Sequence, residues 1–245
     1  MTPLQMTLFA IACLLIGLSK GGLGGPLPVA LVTPMLALVM DAKEAVPLVL
    51  PFLIFADWFA LRAYWKEWSN EYIKILLPSA IVGAIMGGLL LSVISSVMLK
   101  IVIGIFTIIV IAYKLLSDRL TSIKYKHQSW HGYLAGWSTA LASTLANTGA
   151  PTFTIYLLLQ RVESITFIGT ATLFFTIVNL LKLPIFIQQD LLQVSTVTSL
   201  WWALPIVPLG VWIGRRALDY IDQTTFERIM MVLLVLSVIL LFATL

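Results

Sequence analysis

Residues 17–26 read Gly-Leu-Ser-Lys-Gly-Gly-Leu-Gly-Gly-Pro, and they separate two apolar stretches, residues 4–16 and 27–39. A charged side chain at bilayer depth costs on the order of several kcal/mol and as a rule faces a cavity or a partner. Gly-rich backbone that leaves the helix is tolerated at that depth only where protein or water surrounds it. Lys20 beside this glycine run therefore predicts a binding site for an anion inside a membrane transport protein.

The composition of the whole chain agrees with a membrane location. Hydrophobic residues make up 60% of the 245 residues and charged residues 11%, whereas a soluble domain has about 25% charged residues. Long apolar runs recur, and residues 101–116 are apolar on every face, which excludes the alternating strands of a membrane barrel. We therefore expect an all-α integral membrane protein with several spans.

Hydropathy divides the chain into eight apolar segments of roughly the length of a membrane span, which is about 20 residues. The first and the fifth are longer and are interrupted. The segments cover residues 4–40, 45–64, 73–94, 99–116, 132–160, 165–187, 200–218 and 229–245. The polar residues 117–130 form the one substantial linker, so we expect a first transmembrane repeat at 1–116 and a second at 131–245.

The two halves resemble each other at corresponding positions, which indicates a duplication. Each half opens with an apolar segment that is broken at Gly and Pro, carries one polar residue in its next helix, and repeats a Pro-Gly-Gly spacing in its third helix. The matched features are Gly24-Gly25-Pro26 with Gly149-Ala150-Pro151, Asp57 with Asn179, and Pro78, Gly83 and Gly87 with Pro205, Gly210 and Gly214. For the four glycines of the third helices we expect a packing role, because small residues let membrane helices approach closely.

The distribution of Lys and Arg predicts how the halves are oriented. The linker holds Arg119, Lys124 and Lys126, which places it in the cytoplasm by the positive-inside rule. Counting spans from both ends then makes residues 132–160 a re-entrant hairpin and the halves inverted repeats, as in many transporters. The alternative is that each interrupted segment crosses once, which would make the repeats parallel.

The two breaks carry the residues from which a site can be built. The helix after each break points its free N–H groups and the positive end of its dipole toward the middle of the bilayer, and such ends bind anions. We expect substrate binding by Ser19, Lys20, Gly21, Gly22, Gly24, Gly25, Asn147, Thr148 and Gly149. Helix capping is the alternative role for Asn147 and Thr148.

Three further polar residues lie inside apolar helices. An Asp at position 57 is costly unless it is paired; it could pair with Lys20 or with Arg62, or it could carry a coupling proton. Asn179 and Lys182 are one turn apart and are candidates for lining the substrate pathway. We assign Asp57, Asn179 and Lys182 to coupling or to the pathway.

Motifs of catalysis are absent from the sequence. It contains no His-Glu-x-x-His, no Gly-x-Ser-x-Gly and no Walker-type loop, since the glycines follow Lys20 rather than precede it. The single cysteine, Cys13, excludes an internal disulfide and argues against a Cys-based metal site. We expect no enzyme activity, no cofactor, no bound metal and no nucleic-acid partner.

The two breaks resemble those of the TauE/SafE family, the sulfite exporters and related membrane anion transporters. The resemblance is carried by residues 17–25, Gly-Leu-Ser-Lys-Gly-Gly-Leu-Gly-Gly, and by residues 146–151, Ala-Asn-Thr-Gly-Ala-Pro, followed by Tyr-Leu-Leu at 156–158. It implies a secondary transporter that moves sulfite, sulfonates or other small organic anions across the bacterial cytoplasmic membrane. The glycine-rich run of many relatives is reduced here to residues 147–150, so the resemblance leaves the substrate open.

The sequence therefore predicts a secondary transporter for a small anion that works by alternating access. Coupling to a proton or another cation and a homodimeric state both remain open. The rival hypotheses are a passive anion channel with the same site and a membrane receptor or assembly subunit that transports nothing.

Overall fold

A computed structural model of the chain describes residues 1–23, 25–120, 128–217, 220 and 222–245. Gly24 and residues 121–127 of the predicted linker, with Lys124 and Lys126, lie outside this part of the chain. Within it, the residues form twelve α-helices and one short 3-10 helix, and no strand. The prediction of an all-α protein is confirmed.

The helices follow the predicted apolar segments within a few residues. In chain order they are α1 (Pro3–Lys20), α2 (Leu27–Leu36), α3 (Ala42–Leu48), α4 (Leu50–Ala63), α5 (Asn70–Val93), α6 (Ser96–Leu120), α7 (Ser129–Ala146), α8 (Ala150–Leu159), α9 (Ser164–Gln188), α10 (Val194–Ser199), the 3-10 helix (Trp201–Ala203), α11 (Ile206–Ala217) and α12 (Gln223–Ala243).

Six segments of the described residues are long and apolar enough to cross a membrane. They are Pro3–Lys20, Ala42–Ala63, Asn70–Val93, Ser96–Leu116, Ser164–Gln188 and Thr225–Ala243. The second joins α3 and α4, which are separated only at Val49, because Pro51 has no N–H to donate to the carbonyl of Pro47. The helices α2 and α8 have ten residues each and are too short to span a bilayer alone.

The break between α1 and α2 begins at a left-handed glycine. Gly22 has φ 101°, and its N–H donates to the carbonyl of Ser19 while the N–H of Leu23 donates to the carbonyl of Leu18. This pair of bonds is the Schellman motif, in which glycine is preferred because it has no Cβ. The glycine run therefore ends α1 at Lys20.

The break between α7 and α8 uses the same device with a different residue. Asn147 has φ 55°, and its N–H donates to the carbonyl of Ser143 at 3.0 Å. After glycine, asparagine is the residue that adopts this left-handed conformation at a helix end. The reduced glycine content of the second break is therefore compatible with the same change of direction.

Hydrogen bonds from side chains to backbone carbonyls bring several helix ends together at one end of the molecule, which we call end 1. The side chain of Gln5, at the start of α1, donates from Nε2 to the carbonyl of Val39, beyond α2, at 2.7 Å. Lys43 Nζ donates to the carbonyl of Ser92 at 3.1 Å. Gln5, Lys43 and Asp190 also line one shared surface cavity. The start of α1, the end of α2, the end of α5 and the end of α9 therefore lie at end 1.

The opposite end of the molecule, which we call end 2, contains the starts of three helices and the end of a fourth. The N–H of Ser69 donates to Thr170 Oγ1 at 3.0 Å, which joins the start of α5 to the first turns of α9. A Cβ at Gly132 would lie 2.8 Å from Tyr156 Oη, so the last turn of α8 returns beside the first turn of α7. The starts of α5, α7 and α9 and the end of α8 therefore share end 2.

Glycines hold the first helix of each half against the third helix of the other half. A Cβ at Gly17 of α1 would lie 2.7 Å from Cα of Gly210 in α11, and a Cβ at Gly214 would lie 2.8 Å from the carbonyl oxygen of Leu18. In α5, a Cβ at Gly87 would lie 2.7 Å from Cβ of Thr144 in α7. The packing role expected for the glycines of the third helices is confirmed.

The distribution of side chains is that of a protein in lipid. Large apolar side chains are exposed on the outer helices α6 and α12, including Ile105, Ile108, Val232, Leu236 and Ile239. Polar side chains are buried instead, among them Asp57, Asn147, Asn179 and Lys182. Membrane proteins tolerate such polar groups inside the bundle, where they mark functional sites.

Candidate functional site

A cavity of about 280 Å³ lies where the two breaks meet. Its polar wall comes from the first break, from the end of α7 with the second break, and from α9. Gly25 and Pro26 before α2 and Ala150 and Pro151 of α8 also line it, and neither of these short helices has a side-chain cap. The N–H groups of a first helical turn have no partner within their helix, so both turns offer donors at the cavity wall.

Beyond the breaks, the cavity extends toward end 2. Tyr64, at the end of α4, and Phe167 and Ile168, in the first turn of α9, belong to its lining. Phe153 and Phe175 complete an aromatic wall, with ring centroids 5.3 Å apart. The cavity is therefore polar at the breaks and apolar along its other side.

Lys20, Asp57 and Asn179 form a chain of polar contacts at the cavity. Lys20 Nζ lies 2.5 Å from Asp57 Oδ1, and Asn179 Nδ2 donates to Asp57 Oδ2 at 2.8 Å. The Asp57 side chain is fully buried, while that of Lys20 is 18% exposed. Arg62 instead stacks over the ring of Trp58, at 5.0 Å from its centroid. Of the two ion pairs considered from the sequence, the structure contains the pair with Lys20.

A second cluster surrounds Lys182, which is fully buried in α9. Its Nζ donates to the carbonyl and the hydroxyl of Ser143, at 3.1 and 3.3 Å, and to Asn147 Oδ1 at 3.0 Å. Asn147 Nδ2 donates in turn to Thr33 Oγ1 at 3.2 Å and to the carbonyl of Val46 at 3.1 Å. Asn147 thus shapes the break with its backbone and orients the Lys182 ammonium with its amide.

The two clusters place three charged side chains at or just behind the cavity wall. Asp57 and Lys182 are the two fully buried charged side chains of the described residues, and Lys20 is mostly buried. With Lys182 counted as an ammonium, which its three hydrogen-bond acceptors fit, the two cations and one anion sum to a net charge of +1. A charge held in a site of low dielectric constant acts more strongly than in water, so these three side chains dominate the electrostatics of the cavity.

Two polar atoms at the cavity have no hydrogen-bond partner within the described part of the chain. They are Thr148 Oγ1 and Asn179 Oδ1, and both side chains are only 4% exposed at the residue level. A buried polar group without a partner costs about 1–3 kcal/mol. Both residues line the cavity, so a bound molecule could supply the missing bonds.

Some of the other predicted site residues line the cavity, and others pack against a neighbouring helix. Ser19 lines the cavity and donates from Oγ to the carbonyl of Gly25 at 2.5 Å, which closes the first break. Gly22 also lines the cavity. Gly21 packs against α11 instead, since its Cβ would lie 2.5 Å from the carbonyl oxygen of Val211, and Gly149 packs against α7.

Sequence reasoning missed Ser143 and the aromatic wall. Ser143 lies four residues before Asn147, so helical spacing puts both on one face of α7, and this signal could have identified it. The phenylalanines had no such signal, because apolar aromatic residues are common throughout membrane segments.

The fold and the cavity together define a multi-pass helical membrane protein with a charged, buried site at two interrupted helices. This class includes secondary transporters, whose discontinuous helices hold the substrate. The family model described as "Sulfite exporter TauE/SafE" matches residues 9–241. The chain therefore belongs to this family of membrane transporters.

A search of curated proteins and a search of solved structures each found no match.

Proposed function

We propose that this chain is a secondary transporter that moves a small anion across the bacterial cytoplasmic membrane by alternating access. The anion is sulfite, a sulfonate or a related organic anion, as the family description suggests. The observation that carries the proposal is the cavity between two helix breaks, with Lys20 in its wall and the buried Asp57 and Lys182 beside it. An aqueous path to one side at a time would then let the site load and release its anion.

In this proposal the substrate binds at the breaks. Lys20 attracts it from the cavity wall and Lys182 from behind Ser143 and Asn147. Thr148 donates to it, and the first turns of α2 and α8 offer their free N–H groups. Ser19, Gly22, Gly25 and Asn147 shape the wall, while Gly21 and Gly149 contribute by holding each break close to a neighbouring helix. The unpartnered hydroxyl of Thr148 in the cavity lining supports this assignment.

We also propose that the halves are inverted repeats, each opening with a re-entrant hairpin. The start of α1 and the end of α2 meet at end 1, through Gln5 and Val39. The start of α7 and the end of α8 meet at end 2, near Gly132 and Tyr156. Hairpins that open at opposite ends are what an inverted duplication requires.

End 2 is the cytoplasmic side in this topology. Arg62, Lys66 and Arg161 lie in the turns at or near that end, whereas Asp190 belongs to end 1. Positive residues are enriched in cytoplasmic turns. Because the cavity extends toward Phe167 and Ile168 at end 2, the structure fits a conformation whose site communicates with the cytoplasm.

Asp57 is the proposed coupling group. It is fully buried, it is paired with Lys20, and it accepts from Asn179. If Asp57 takes up a proton, its pair with Lys20 is lost and the charge at the cavity rises by one. Such a change can link proton movement to the binding of an anion.

Uptake into proteoliposomes tests the function. Purified protein with an imposed proton gradient should accumulate a labelled alkyl sulfonate or sulfite above its external concentration, and the accumulation should stop when the gradient is dissipated. A channel would equilibrate the anion without accumulating it, and a receptor or assembly subunit would produce no flux.

The role of Asp57 is tested in the same assay. Asp57→Asn cannot change its charge, so exchange of anion across the membrane should persist while gradient-driven accumulation is lost. If accumulation persists in Asp57→Asn, Asp57 is not the coupling group.

A further inference from the structure

The formal charge beside the cavity is set by three side chains, because the helix ends contribute little to it. Each break joins the end of one helix to the start of another, and these ends carry opposite partial charges of about half a unit. The contributions of α1 and α2 therefore offset each other, and so do those of α7 and α8. Lys20, Asp57 and Lys182 remain, with a net charge of +1.

A second feature is the size and polarity of the cavity. Its volume of about 280 Å³ lies just below the ~300–1,000 Å³ of typical small-molecule pockets. A four-atom oxyanion would leave most of it unfilled. Phe153, Phe167 and Phe175 form one side, and an apolar group gains about 25 cal/mol for each Å² that it buries there.

A third feature is the unpartnered oxygen of Asn179. Its Nδ2 donates to Asp57 Oδ2. The remaining polar atom of the amide is Oδ1, which can only accept a hydrogen bond. The oxygens of an ionised oxyanion also only accept, so they cannot satisfy it. Thr148 Oγ1, the other unpartnered atom, can donate to an anionic group.

We propose that the site selects organic monoanions: one anionic head group on a short apolar body that also carries a hydrogen-bond donor. The head group meets Lys20 and Thr148, with the Lys182 charge behind the wall at Ser143 and Asn147. The apolar body packs on the phenylalanine wall, and the donor meets Asn179 Oδ1. The inference rests on the proposed transport function for its biological meaning, but it concerns binding alone. It discriminates against divalent anions, which would leave one negative charge uncompensated in a desolvated site.

Binding to the purified protein in detergent tests the inference directly by calorimetry. The probes are ethanesulfonate, 2-hydroxyethanesulfonate, sulfoacetate, sulfate and sulfite. We expect 2-hydroxyethanesulfonate to bind more tightly than ethanesulfonate, and ethanesulfonate to bind at least tenfold more tightly than sulfoacetate or sulfate. Equal or tighter binding of the divalent anions, or of sulfite over both alkyl sulfonates, would overturn the inference.

An isosteric exchange of charge at Asp57 and Asn179 tests the electrostatic argument. Asp57→Asn raises the net charge to +2 and should move the preference toward sulfoacetate at least tenfold. Asn179→Asp lowers the charge to zero and should weaken every anion. The double variant restores +1 and should restore the monoanion preference; a double variant that still prefers sulfoacetate would contradict the argument.

The binding series on the unmodified protein decides the inference even if a variant does not fold, which thermal unfolding and elution profile would reveal. The two proposals can fail separately. Monoanion binding without flux in liposomes would reject transport and leave the proposed selectivity standing. Robust flux with a preference for divalent anions would reject the selectivity and leave transport standing.

Discussion

Among individual residues, the contacts of three charged side chains, Lys20, Asp57 and Lys182, determine the candidate site. Asp57 is fully buried and depends on Lys20 and Asn179 for its contacts. Lys182 is satisfied by neutral oxygens of Ser143 and Asn147. The sequence identified Lys20, Asp57, Asn179 and Lys182 because polar groups in apolar helices are conspicuous. It could not choose the partner of Asp57, because the choice depends on the rotation of α1 and α4 about their axes.

Removal of Lys20 should destabilise the protein as well as the site. Lys20→Met leaves the buried Asp57 without its cation, and breaking a buried pair costs about 3–5 kcal/mol. The double variant Lys20→Met/Asp57→Asn removes both charges and should recover most of this loss. Thermal unfolding in detergent measures both.

Lys114→Met is the matched control for this pair. Lys114 Nζ lies 2.6 Å from Glu227 Oε2, and both side chains are partly exposed, so the loss should be about 0–1 kcal/mol. If Lys20→Met and Lys114→Met unfold at the same temperature, Asp57 does not depend on Lys20.

At the scale of elements, glycine and proline decide where the helices end. Gly22 ends α1 through its positive φ, and Pro51 separates α3 from α4. The first break was predictable because a run of glycines interrupts an apolar segment. The interruption at Val49 was missed, because residues 45–64 have continuous hydropathy and a proline near a helix start is common.

The close contact between α1 and α11 should not tolerate a methyl group. In Gly210→Ala the new Cβ would lie 2.6 Å from the carbonyl oxygen of Leu14, and overpacking of this kind costs about 1–3 kcal/mol. The variant should unfold at a lower temperature than the unmodified protein.

Gly104→Ala is the control, since its Cβ would meet only the ring of Phe242, which can move aside. Its unfolding temperature should stay close to that of the unmodified protein. A Gly210→Ala variant as stable as Gly104→Ala would show that α1 and α11 are not in backbone contact.

In the whole molecule, the proposed inverted repeats require two halves of opposite orientation. Hydropathy and the distribution of Lys and Arg predicted this topology but left parallel repeats open, because neither reports whether an interrupted segment returns or crosses. The contacts of Gln5 with Val39 and of Gly132 with Tyr156 favour the return in both halves.

Single cysteines test the orientation in a Cys13→Ser background. Glu44 belongs to end 1, while Gln128 and Glu163 lie at the start of α7 and just after α8. A membrane-impermeant maleimide applied to intact cells should label Glu44→Cys and spare Gln128→Cys and Glu163→Cys, all three being labelled after lysis. Labelling of Glu163→Cys together with protection of Gln128→Cys in intact cells would mean that α7 and α8 cross the membrane.

Passage of anions across the membrane through the positively charged site at the two breaks can be followed by anion counterflow. Proteoliposomes loaded with unlabelled 2-hydroxyethanesulfonate are diluted into the labelled anion, with the unmodified protein, Lys182→Met and Lys100→Met compared at equal reconstitution. Lys182→Met removes the net charge beside the cavity, where Lys182 Nζ contacts the lining residues Ser143 and Asn147, whereas Lys100 Nζ lies at Thr244, beyond the end of α12. The account predicts counterflow with the unmodified protein and Lys100→Met, and a loss of at least tenfold with a folded Lys182→Met. Counterflow at the unmodified rate in Lys182→Met would contradict it.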